Sequence, residues 1–146
     1  MKYLFTLGML VAALAVYTAP ASAQNGYVVV VNQANSTASM TADEVSRMFM
    51  KRATQWADGR EVVPVDQSDG SAARTRFSQE IHGKSVSAIK SYWQRQIFSG
   101  RAVPPAERTS DSEVLAFVRA NPAAIGYVRA GVTIVAGVKQ LQISDR

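Results

Sequence analysis

The stretch Asp66-Gln67-Ser68-Asp69-Gly70-Ser71-Ala72-Ala73-Arg74 gathers carboxylates, hydroxyls, a glycine and an arginine. A β-branched run precedes it and a helical apolar pattern follows, so it reads as a strand-to-helix junction. The first backbone N–H groups of a helix have no intrahelical acceptor, and at such a junction they point into the loop. Together with the positive end of the helix dipole they make a seat for an oxyanion. Gly70 would allow close backbone approach. Ser68 and Ser71 could donate hydroxyl hydrogen bonds, and Arg74 could add a charged fork one turn on. Asp69 would repel a dianion but could accept the proton of a monohydrogen oxyanion, selecting hydrogen phosphate over sulfate. A simpler reading also fits: Asp69 or Ser71 caps the helix and Gly70 makes the turn. The sequence leaves both open.

Other candidates carry less. His82 is the single histidine, and the chain has no cysteine. With no carboxylate at ligand spacing, a zinc site is not expected. Next to Gly83, His82 reads as a solvated helix-end residue that favours the C-terminal dipole when protonated. A triad can be drawn from Ser71, His82 and Asp66, but nothing resembles a nucleophile elbow. The expectation is therefore a protein that is not an enzyme and needs no cofactor. Tyr92 and Trp93 read as core and rim, and Met40, Met48 and Met50 as gap-fillers of the core.

The elements that must hold the junction follow from periodicity. Residues 26–33 contain Tyr27-Val28-Val29-Val30-Val31, whose apolar character on both faces predicts a buried central strand. Thr41-Ala42-Asp43-Glu44 has the form of a capping box, opening a helix with Val45, Met48 and Phe49 on one face. A short strand at 61–65 contains Pro64, which favours an edge or a strand end. A helix from Ser71 carries Ala73, Phe77 and Ile81 and stops at Gly83. The next, from Ser85, places Val86, Ile89, Trp93 and Ile97 on one stripe. Residues 101–109 read as an extended loop. Ser110-Asp111-Ser112-Glu113 is a second capping box, and Asn121-Pro122 stops its helix. Strands are predicted at 124–128 and 132–138, the latter extending through Leu141 to Ile143. The fold class is α/β, a mixed β-sheet flanked by helices.

The N-terminus has the pattern of an export signal. Lys2 precedes an apolar run at 4–16, Pro20 breaks it, and Ala21-Ser22-Ala23 offers a cleavage site. That run is shorter than the roughly 20 residues of a membrane span. Cleavage after Ala23 would give a signal peptide at 1–23 and one domain at 24–146, in the periplasm. The formal net charge of +5 is modest. Its arginines are scattered rather than striped with aromatics, so a nucleic-acid partner is not expected. A mild positive charge suits a protein that meets anions or an anionic surface.

Several segments in order resemble the periplasmic phosphate ABC-transporter substrate-binding protein family. They are Thr41 to Phe49, Trp56-Ala57-Asp58-Gly59 with Val62-Val63-Pro64-Val65, and Ser68-Asp69-Gly70-Ser71 with Phe77. Pro122-Ala123-Ala124-Ile125-Gly126-Tyr127-Val128 completes the series. The resemblance implies one lobe of a type II periplasmic binding protein, with Ser68, Asp69, Gly70, Ser71 and Arg74 at a phosphate site. Gln67 stands where the family commonly has an arginine, and Ala72-Ala73 where it has Gly-Thr. The mature chain has room for about one of the family's two lobes. The expected ligand is phosphate or a similar oxyanion, and the expected protein partner is an inner-membrane transporter or another envelope protein. The rival expectation is an envelope protein–protein interaction module that keeps the fold without the ligand.

Overall fold

A computed structural model describes residues 26–144. The expected signal peptide at 1–23 lies outside the described residues. The strands are β1 (Tyr27–Asn32), β2 (Ser39–Thr41), β3 (Val63–Gln67), β4 (Ala106–Arg108), β5 (Ala124–Arg129) and β6 (Val138–Ser144). The helices are α1 (Ala42–Phe49), α2 (Ala72–Phe77), α3 (Val86–Phe98) and α4 (Asp111–Ala120), and α2 widens into a π-helical turn over Ser78–His82. One six-stranded sheet has the order β2-β6-β1-β5-β3-β4. β1 is antiparallel to β5 and β6, whereas β3 is parallel to β5 and β4, so the sheet is mixed.

The valine run sits where its composition demands. Every residue of β1 is buried. Val29 and Val31 join Val45, Met48, Phe49 and Phe77 on the face covered by α1 and α2. Val28 and Val30 join Val114, Leu115 and Val118 of α4 on the other face. Burying such a side chain fully contributes roughly 1.5–3 kcal/mol, which is why a strand apolar on both sides takes the middle of the sheet. The caps also form. Thr41 Oγ1 accepts from the Glu44 amide at 3.2 Å, and the Thr41 amide donates to the Glu44 carboxylate at 2.8 Å. Ser110 Oγ accepts from the Glu113 amide, but the Glu113 carboxylate reaches back to Thr109. Gly83 ends the π-helical turn in the left-handed conformation, φ 64°.

Three sequence expectations are corrected. Residues 132–137 are not a strand; the predicted strand is found only in its later part, from Val138 through Leu141 and Ile143. β5 and β6 flank β1 in the same direction, so residues 130–137 must carry the chain back along the sheet before β6 can begin. Gly131 and Gly137 turn it at either end, with φ 86° and 87°. The loop at 101–109 contains the edge strand β4, so β3 is internal. Pro64 is tolerated there because pairing with β4 begins only at Val65. The stripe on α3 is also incomplete. Ile89 and Trp93 pack with Met50, but Ile97 is 53% exposed. The last turn of α3 is largely exposed.

Candidate functional site

β3 ends at Gln67, and the chain turns through Ser68–Gly70 into α2. Ser71 caps that helix, accepting from the Arg74 amide at 3.2 Å. Its hydroxyl proton goes to Gln67 Oε1 at 2.6 Å. Gln67 is held in turn, donating through Nε2 to the Tyr127 carbonyl and to Asp111. Among the described residues the Ala72 and Ala73 amides have no acceptor; Ala72 is exposed and Ala73 is buried. Ser71 and Ala72 form one wall of an open cleft of about 470 Å³.

The other wall is the start of α4. Thr109, Ser110, Asp111 and Ser112 line it, with Arg129 at the rim. β3 and β4 are parallel and adjacent, so the helices that follow them begin at the same end of the sheet. That places two sets of unpaired helix amides around one depression. Arg129 Nε donates to Asp111 at 2.7 Å, while its side chain remains 68% exposed. Burial pushes the Asp111 pKa up, but hydrogen bonds from Arg129 and Gln67 outweigh that and hold it below the ordinary carboxylate range. Asp111 is therefore ionised and already satisfied, and it orients Arg129.

Of the expected phosphate-site residues Ser68, Asp69, Gly70, Ser71 and Arg74, Ser71 alone lines this cleft. Ser68 donates through its amide and its hydroxyl to the Arg108 carbonyl, fastening the loop to β4. Asp69 pairs with Lys90 of α3 at 2.5 Å and with Arg74 at 3.5 Å. The Lys90 contact first, then Arg74, holds its carboxyl below the usual range. Gly70 is open to space, with nothing within 4 Å of the point where a Cβ would stand. Arg74 is the clearest correction. Its guanidinium is buried rather than aimed at solvent, donating to the Gln67 carbonyl and to Glu107 at 2.7 Å, with Asp66 at 3.6 Å. It locks the loop instead of offering a fork to a ligand.

Sequence reasoning misses Asp111, Ser112 and Arg129. Ser110-Asp111-Ser112 carries the needed signal, because it too lies between a strand and a helix. β4 is so short that the segment reads only as a cap.

The drawn triad does not assemble. Ser71 serves Gln67, Asp66 accepts from the Tyr127 hydroxyl, and His82 Nδ1 meets Ser46 Oγ at 2.8 Å. His82 is not the solvated residue expected. In the π-helical turn the spacing of five brings it over Phe77, with ring centroids 5.4 Å apart. Burial, then the charges of Arg74 and Lys84, push its pKa down to about 4. The unfolded chain therefore binds this proton first as pH falls. Stability present above about pH 6.5 is lost down to about pH 4, by about 3 kcal/mol for this group. Urea unfolding at pH 7 and pH 4.5 should show that loss, and His82→Gln should reduce it.

No helix among the described residues is long and apolar enough to cross a membrane. No curated protein matches the chain. Among solved structures it is similar to an ABC-type phosphate transport receptor from Vibrio cholerae, at 20% identity and a TM-score of 0.64. That alignment covers 81% of this chain and 46% of the receptor. A candidate phosphate ABC transporter substrate-binding protein with bound phosphate, from Clostridium perfringens, aligns at 18% identity and a TM-score of 0.63. It covers 81% of this chain and 44% of that one. A possible phosphate binding protein from Planctomyces limnophilus aligns at 20% identity and a TM-score of 0.61, over 82% and 42%. The chain thus spans less than half the length of these neighbours, and its fold is that of one lobe of a periplasmic binding protein. The family model of the PBP superfamily domain matches residues 22–144, and with that span the chain belongs to the PBP superfamily.

Proposed function

We propose that this chain is a periplasmic, non-catalytic oxyanion-binding protein, with phosphate as the ligand. The observation that supports it is the convergence of two helix starts and Arg129 on one cleft. The Ala72, Asp111 and Ser112 amides and the Ser112 hydroxyl would hold the anion, and Arg129 would add a charged donor. Ser71 keeps its place in the wall by capping α2. The neighbours whose names refer to phosphate support the choice of ligand, and the leader-like N-terminus supports the compartment. A transporter of the inner membrane is the protein partner this reading implies.

A cleft that is open above its two walls, with no second lobe to cover it, leaves the ligand wet, so affinity should be weak, about millimolar. Titrating phosphate into isotopically labelled 24–146 chain should move the Ala72, Asp111 and Ser112 amide resonances together. Arg129→Gln should weaken binding by about 10-fold, the value of one charge-assisted hydrogen bond. If those resonances stay still at about 50 mM phosphate, well above the expected dissociation constant, the proposal fails. A second reading is favoured by one observation: Asp69, Arg74 and Ser68 all have partners within the protein. On that reading the loop is structural, and the fold serves as an envelope interaction module.

A further inference from the structure

The end of α3 is built unlike the rest of the surface. Phe98 is 97% exposed, Ile97 53% and Val103 64%, so three of the four large exposed apolar side chains among the described residues belong to one helix end and the loop after it. Only Ile89 and Trp93 of this 13-residue helix are buried, and in its final turn Ile97 borders a shallow depression beside Pro104 and Pro105 while Phe98 is left in solvent. The surroundings are cationic. Residues 81–106 contain Lys84, Lys90, Arg95 and Arg101 and no aspartate or glutamate. Lys90 is neutralised by Asp69, while Arg95 and Arg101 have no ion pair among the described residues. Arg95 lies three residues before Phe98, on the same helix face, and Arg101 three residues after it.

We propose that this tip docks on an anionic lipid surface, with Phe98, Ile97 and Val103 entering the headgroup boundary and Arg95 and Arg101 meeting lipid phosphates. Apolar side chains at the centre and cations at the rim are the arrangement that such a surface binds. Shape and charge favour this occupant over others. Three projecting side chains make a convex knob, far short of the roughly 800 Å² per partner of a stable protein interface. A second copy on the same patch would set Arg95 and Arg101 against their own equivalents, which is repulsive. Lys90 meets Asp69 near the cleft, and α3 then runs towards the start of β4. Ile97 lies beside Pro104 and Pro105, ahead of β4, whereas the cleft lies beyond the ends of β3 and β4, so a molecule docked by its tip would hold the cleft away from the lipid.

The test uses the 24–146 chain, which contains all six strands and the core but not the apolar leader. Co-sedimentation with phosphatidylcholine vesicles, with and without phosphatidylglycerol, should show binding only to the anionic ones. Phe98→Ser should weaken it by about 10-fold or more. Arg95→Gln with Arg101→Gln should weaken it by about 30-fold. All these positions are exposed, so thermal unfolding should be unchanged. Phe98→Trp should shift its fluorescence to the blue on anionic vesicles. Arg129→Gln should leave vesicle binding intact, which separates the tip from the cleft. Absence of binding, equal binding to both vesicles, or loss in Arg129→Gln would each overturn the proposal. So would self-association or capture of an acidic protein that depends on Phe98 without any vesicle binding.

Discussion

Gly126→Val is expected to lose about 3 kcal/mol or more in urea unfolding, a large share of the stability of a domain this size. Gly126 lies in β5 beneath α4. A Cβ there would sit 2.7 Å from Val65 Cγ1, 2.9 Å from Val114 Cγ1 and 3.3 Å from Val118 Cγ2. All three neighbours are 0% exposed, so none can swing into solvent. The missing side chain is what lets α4 close on the sheet, and α4 supplies one wall of the cleft. Gly126→Ala should follow the same direction with a smaller loss, about 2 kcal/mol. Native-like unfolding of the valine variant would mean that α4 does not pack on β5 as described.

Arg74→Met is expected to cost about 3–5 kcal/mol, the range for breaking one side of a buried ion pair. The arginine faces the Gln67 carbonyl, Glu107 and Asp66, and it stays charged because those acceptors outweigh its burial. Asp66 is in a different position. It meets Arg74 at 3.6 Å, without a hydrogen bond, and burial raises its pKa despite that contact and the Tyr127 hydroxyl. Removing Arg74 leaves this carboxyl with less compensation still. The double variant Arg74→Met with Asp66→Asn should recover part of the loss, and a double-mutant cycle gives the coupling. The same experiment separates two roles for Arg74. A ligand-binding arginine would leave stability unchanged and reduce phosphate affinity, whereas the buried position predicts the reverse: stability falls, and the cleft's affinity in folded protein is kept.

The Asp66–Arg74–Glu107 contacts brace the loop from behind, and Gln67 joins it to β5 through the Tyr127 carbonyl. The groups left facing the cleft are main-chain amides, the Ser112 hydroxyl and one arginine. Such a set suits a small anion held by geometry, because the donors are fixed by the helices and need little ordering on binding.

Much of the fold was written locally. The valine run, the Thr41 and Ser110 caps, the stop at Gly83 and the break at Asn121-Pro122 depend on residues a few positions apart, so their signals survive in one dimension. Ser71 as the start of a helix after a strand is of the same kind. What only the tertiary structure decided was the partner of each charge. Arg74 finds Glu107 33 positions away, Gln67 finds Asp111 44 positions away, and Asp66 finds Tyr127 61 positions away. Those meetings follow from strand order, which brings β4 and β5 to either side of β3. Periodicity does not encode strand order, because a side chain's neighbours across a sheet are set by which strands pair. For the same reason the second wall of the cleft, and Arg129 at its rim, emerged only when two distant helix starts came together at one end of the sheet.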